Sequence, residues 1–243
     1  MDPFDVADRW RLRYLSKRLG ALELELAKLA SKTPSSKQTN FVRIKLNLGV
    51  RALASANAAI ALLTRCFWQE SDGPFRLFLE AWVVLMNIWW FQRDPLTEKW
   101  LRGERIKGKD IETFRSRVES ELARLPDANH GYPLKDLYKI LSGESVHITP
   151  TGVVRAQQEA LYRKNVHLKT WQRNRLSAIG WLKTELILSG LQLWIKLYRA
   201  DIQTSFPQAL NDGEWLAIEK SVGRRVTGTS QRTAMSLAKK LSF

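Results

Sequence analysis

The sequence is poor in the residues from which metal centres and nucleophilic sites are most often built. One cysteine, Cys66, and three histidines, His130, His147 and His167, serve 243 residues. A lone cysteine excludes an internal disulfide and any cysteine-based metal site. Flanked by Arg65 and Phe67 in an apolar helical pattern, Cys66 reads as a small core hydrophobe. The histidines are too scattered for a sequence-local metal cluster, and neither a metal nor a cofactor is expected. There is no strand pattern of convincing length, no internal repeat and no low-complexity tract. Apolar runs are interrupted as well: Glu80 breaks Phe75 to Phe91, and Lys183 and Glu185 break Ala178 to Leu193, which favours core helices over an integral membrane segment. The acidic start, Met1-Asp2-Pro3-Phe4-Asp5, is unlike a secretory signal, so a reducing, cytoplasmic setting is expected.

What the chain has in excess is positive charge. It carries 39 Lys and Arg against 24 Asp and Glu, a formal net charge of +15. The excess is spread from the Arg9, Arg11, Arg13, Lys17, Arg18 cluster to a last stretch with no acid after Glu219. Such a balance points to an anionic partner, nucleic acid (RNA before DNA), an acidic protein or, third, a membrane surface met by the first or the C-terminal helix, or to a solvated surface kept for solubility. With 44% hydrophobic residues the chain supports one sizeable core.

Helical periodicity dominates. A first helix carries Val6, Trp10, Leu15, Leu19, Leu22, Leu26 and Leu29 at three-and-four spacing and breaks at Lys32 to Ser36. A second runs from about Thr39 to Gln69, dense in alanine, with Arg51 and Asn57 as interior polar residues. The third, from Pro74 to Pro95, is apolar almost all round and reads as the central helix of a bundle. Asp94-Pro95 ends it and starts a short helix over Leu96 to Arg105 with Trp100 and Leu101 inward. Asp110 caps a helix through Leu125 with Ile111, Phe114, Val118, Leu122 and Leu125 as its stripe. Pro126 to Pro133 reads as a loop, Leu134 to Leu141 as a short helix ended by Ser142-Gly143, and Glu144 to Gly152 as irregular; helix resumes near Thr151 and breaks near Lys169, before a long apolar helix from Thr170 to Asp201. The expected fold is an all-α, mostly antiparallel bundle of about seven or eight helices over residues 1–205. Residues 206–243 add a short helix and a basic C-terminal extension.

Several motifs fail on context. Gly103-Glu104-Arg105-Ile106-Lys107-Gly108-Lys109 has phosphate-loop spacing, but Asp110 follows where a hydroxyl should hold magnesium, and helix rather than strand precedes it. Gly143-Glu144-Ser145 lacks the second glycine of a nucleophile elbow. Helical ribonucleases of the HEPN group cleave RNA without metal, using an Arg followed by four to six residues and His. Arg124 to His130 meets that count but crosses Pro126, and Arg163 to His167 is one residue short.

On the third helix Arg76 and Glu80 lie four apart in an apolar face, and a buried charge is costly unless paired. Arg76-Leu77-Phe78-Leu79-Glu80, Asp94-Pro95 and Tyr138-x-x-Leu141-Ser142 followed by His147 resemble a broad family of uncharacterised bacterial helical proteins, loosely HEPN-like, with members in mobile elements. The resemblance spans roughly Leu46 to Arg199. It implies a helical bundle in which Arg76, Glu80, Tyr138 and His147 lie near one another, but brings no settled activity. In one reading Glu80 is a structural brace that accepts hydrogen bonds from Tyr138 or loop amides. In the other Glu80 and His147 form an acid–base pair while Arg76 binds a phosphate. Nucleic-acid contacts fall to Arg155, Arg163, Lys164, His167, Lys169, Arg173, Arg224 and Arg225, with Trp89-Trp90, Trp100, Trp171 and Trp181 as stacking surfaces or plain core. The expected function is that of a nucleic-acid-associated protein, with an RNA-cleaving or toxin-like effector as its sharper form and a homodimer as a further option. The alternative is a non-catalytic interaction module for an acidic protein.

Overall fold

A computed structural model of the chain describes residues 6–32, 37–91, 93–105, 107–124, 150–164, 168–172 and 176. Every regular element among them is helical: α1 (Val6–Lys32), α2 (Lys37–Thr64), α3 (Asp72–Trp90), α4 (Pro95–Leu101), α5 (Gly108–Arg124) and α6 (Pro150–Arg163). The all-α expectation therefore holds. The expected helix from Thr170 to Asp201 beyond residue 176, the expected extension after 205, and the segment with Tyr138 and His147 lie outside the described residues.

The core is built on α1, α2 and α3, with α2 packed against both neighbours. Leu12, Leu15, Leu19, Leu22 and Leu26 of α1 are buried, as the periodicity predicts. On α2 the small residues Ala52, Ala56 and Ala59 face inward beside Leu53, Ile60 and Leu63, which lets α1 approach closely. At that approach Ser16 donates to the Asn57 side-chain oxygen, so Asn57 is satisfied between the two helices. Arg51, expected inside, is exposed, and among the described side chains of α2 the buried cation is Lys45, whose ammonium sits 4.9 Å from the centre of the Trp89 ring. That contact joins the start of α2 to the end of α3, while a tight turn joins the other ends, so the pair is antiparallel. Residues Val42–Thr64, with mean hydropathy 1.4, are long and apolar enough to cross a membrane by length and composition, and half of that window is buried inside the protein; Ala178 to Leu193 lies outside the described residues.

The α2–α3 turn explains why α2 stops at Thr64 rather than near Gln69. Phe67 N–H donates to Leu62 C=O at 2.9 Å and Cys66 N–H to Leu63 C=O at 3.0 Å, the paired bonds of a Schellman cap. Its left-handed position, ordinarily glycine, is Cys66 at φ 60°, and the thiol is buried. The end of α4 uses the same device with a glycine: Gly103 (φ 77°) N–H bonds to Trp100 C=O and Glu104 N–H to Lys99 C=O. That cap shortens α4 relative to the expected Arg105 end, and it confirms that helix precedes the Gly103 to Lys109 segment. Asp110, expected as a cap residue, instead reaches back from the first turn of α5 and accepts from Lys107 N–H at 2.8 Å.

Candidate functional site

α3 carries the candidate pair. Phe75, Phe78, Leu79, Trp82, Leu85 and Met86 are buried, leaving Arg76, Leu77, Glu80 and Val84 as the stripe turned outward. Arg76 Nε donates to Glu80 Oε1 at 2.9 Å, and their side chains are 34% and 37% exposed. The expectation of a charge pair set within an enclosed apolar face is thus corrected: the stripe is the one face of α3 that meets solvent, and the pair needs no buried partner. Such a pair contributes about 0.2–0.5 kcal/mol. Among the described residues the Arg76 Nη groups and Glu80 Oε2 make no further hydrogen bond, so both ends can address a ligand or a loop. Tyr138 and His147, their expected companions, lie outside the described residues.

The same stripe changes character one turn further on. At Asn87, in line with Glu80 and Val84, α5 crosses and covers it; Asn87 Nδ2 donates to Val83 C=O and to Phe114 C=O at 3.0 Å. Beyond it Asp94 caps α4, accepting from Leu96 and Thr97 N–H, and pairs with Arg117 of α5 at 2.7 Å. Arg117 also lies 5.4 Å from the Phe91 ring centre. The Arg117 guanidinium beside it holds the Asp94 carboxyl below its usual range, with the α4 amides assisting and burial opposing. Asp94-Pro95 was legible as a helix start. Arg117, whose sequence position gives no sign of its partner, was not.

Among the predicted basic contacts, Lys164 and Lys169 are exposed. Arg163 is engaged internally: its Nη1 donates to Cys66 C=O at 3.2 Å and its guanidinium stacks 3.9 Å from the Phe67 ring centre. One face of α6 makes the whole dock, since Glu159 accepts from Gln69 N–H at 3.0 Å and Tyr162 meets Trp68 with ring centroids 4.8 Å apart. Glu159 is fully buried there, a structural residue that the sequence reading passed over. Arg155 lies on α6 with its side chain outside the described residues, as are His167, Arg173, Arg224 and Arg225. The break near Lys169 is real: α6 ends at Arg163, and Lys169 N–H bonds to the Gln172 side chain as helix restarts at Thr170. Of the tryptophans offered for stacking, Trp89, Trp90 and Trp100 pack against the core, whereas Trp171 is 58% exposed; Trp181 lies outside the described residues.

Among the described residues no group of three or more His, Cys, Asp and Glu side chains is placed to hold a metal ion. In comparisons with protein-family models, with curated proteins and with solved structures, nothing matches the chain.

Proposed function

We propose that the chain is a nucleic-acid-associated helical protein that engages phosphates through basic surface residues, RNA before DNA. The observation that carries this reading is the +15 charge together with where the described cations stand. Arg13, Lys17, Arg51, Arg65, Arg93, Arg105, Lys107, Lys109, Lys164 and Lys169 are all exposed, so the excess faces solvent instead of being neutralised within the fold. An exposed cationic surface of this kind draws a polyanion by counterion release. The sharper form, a metal-independent RNA-cleaving effector of cytoplasmic, bacterial type and HEPN-like descent, assigns Arg76 to a phosphate and Glu80 with His147 to proton transfer, with Tyr138 beside them. The half-exposed setting of Arg76 and Glu80 supports access by a ligand.

A second reading is favoured by one observation. Arg76 and Glu80 pair with each other along α3 and Arg163 is spent on the α2–α3 turn, which suits a non-catalytic module whose basic surface meets an acidic protein. Binding of a labelled mixed-sequence single-stranded RNA separates the two. Binding at low salt that weakens steeply as salt rises is expected; absence of binding, or binding indifferent to salt, sinks the nucleic-acid reading. If RNA is cleaved, Glu80→Gln and His147→Ala should each lower the rate by at least about a hundredfold. Unchanged cleavage with a lowered Tm for Glu80→Gln would make the pair a brace.

A further inference from the structure

The basic contacts read from sequence fall on α6 and beyond, yet the described residues hold a stronger concentration at the α4–α5 elbow. Between Arg93 and Lys109 the chain carries six cations, Arg93, Lys99, Arg102, Arg105, Lys107 and Lys109, against Asp94, Glu98 and Glu104. Asp94 is taken by Arg117 and Glu104 by Arg102. Arg93, Arg105, Lys107 and Lys109 are exposed, and among the described residues none of them enters an ion pair.

The elbow opens onto a shallow groove of about 580 Å³ along the outer face of α5, floored by Phe91. Lys109, Arg117 and Arg124 line it at intervals of eight and seven residues, which the helical rise converts to about 12 and about 10 Å. Thr113, Ser116 and Ser120 fall in the intervals, so that, with Ser116 and Arg117 counted as one adjacent pair, a cation or hydroxyl recurs every 4 to 6 Å or so along the groove. Cations and hydroxyls are the donor set that proteins use on phosphate oxygens. In an extended single strand successive phosphates stand farther apart than the roughly 3.4 Å per strand of a duplex axis, close to this recurrence. Each hydroxyl now donates to the carbonyl four residues back, Thr113 to Lys109, Ser116 to Glu112 and Ser120 to Ser116, at 2.9 to 3.0 Å. Those carbonyls belong to the helix ladder, so a hydroxyl can turn to a phosphate without stranding a buried acceptor. Glu112 and Glu121 also line the groove, paired with Arg115 and Arg124; of the three lining cations only Lys109 enters no ion pair among the described residues, so a phosphate at Arg124 would exchange with the Glu121 carboxylate, at a guanidinium 74% exposed where such a pair contributes little.

We infer that the α4–α5 elbow and the α5 groove form a docking surface for the backbone of single-stranded nucleic acid, with Lys109, Arg117 and Arg124 on alternate phosphates. The inference rests on the nucleic-acid reading and names where the strand lies. Arg117 also holds Asp94, so the test uses the two exposed ends: Lys109→Glu with Arg124→Glu in the full chain, with melting curves to verify folding. A control pair, Lys17→Glu with Arg51→Glu, makes the same change in net charge on α1 and α2. Fluorescence anisotropy with a labelled mixed-sequence single-stranded RNA is then read across a salt series. The groove pair should weaken binding by about tenfold or more and reduce the slope of log K against log salt by about 1.4, two contacts at about 0.7 each. The control pair should weaken it less than about threefold. Equal losses in both pairs would show that net charge alone acts, and wild-type affinity in the groove pair would place the strand elsewhere; either overturns the inference while the nucleic-acid reading stands. Displacement of RNA by polyglutamate at equal charge concentration would overturn it in favour of an acidic protein. Failure of the wild type to bind RNA at low salt removes the underlying reading itself.

Discussion

Asp94 performs three tasks with one carboxylate, capping α4, pairing with Arg117 and so fixing α5 to the end of α3. Because its pKa is lowered in the folded state, its contribution is fully present above the ordinary carboxylate range and is lost as pH falls through the folded value. Asp94→Asn keeps the capping oxygen but removes the charge, so it should cost about 1 kcal/mol at neutral pH. The difference from wild type should shrink in acid, which denaturant unfolding at pH 7 and near pH 3 will show. Glu23 runs the other way. Burial raises its pKa, so ionisation opposes folding above that value and the penalty fades as pH falls. At this scale the sequence made Asp94 legible through the proline after it, but concealed Arg117, since a cation gives no local sign of a partner 23 residues away.

At the level of elements, two contacts decide how the helices sit. Gly20 of α1 faces Asn57 of α2, and a Cβ added there would lie 3.5 Å from Asn57 Nδ2, an ordinary van der Waals distance. The glycine is therefore not required by the close approach. Gly20→Ala should stabilise the protein by about 0.5–1 kcal/mol through helix propensity, read as a raised denaturant midpoint with an unchanged m-value. The α6 dock is the opposite case, because Glu159, Tyr162 and Arg163 all serve the α2–α3 turn from one helical face. Arg163→Ala removes the donor to Cys66 C=O and the cation over Phe67, so hydrogen exchange should quicken in both α6 and the turn while the α1–α2 interface keeps its protection. Each helix was visible in outline from its period. Their ends moved where caps intervened: nothing in the residue type announces that Cys66 will occupy the left-handed position of a Schellman cap, since cysteine in an apolar run looks like more helix.

For the whole molecule the deciding quantity is charge. An excess of +15 over 243 residues repels itself in the folded state and attracts polyanions, and salt screens both effects. Raising NaCl from about 50 to about 300 mM should therefore raise Tm by a few degrees while weakening RNA binding by an order of magnitude or more. Opposite responses to one variable distinguish a long-range surface field from a set of specific ion pairs, which salt would weaken together with stability. By itself the sequence determined the all-helical class, the inward stripe of α1 and the sign of the net charge, because period and net charge are local or additive properties. Only the tertiary structure decided that Arg76 and Glu80 lie on the solvent stripe of α3 instead of in its core, that Arg163 serves a turn, and that α5 presents a groove beside a basic elbow. Those outcomes depend on which neighbour covers which face of a helix, and an apolar helix with two charges is compatible with several coverings until its partners are in place.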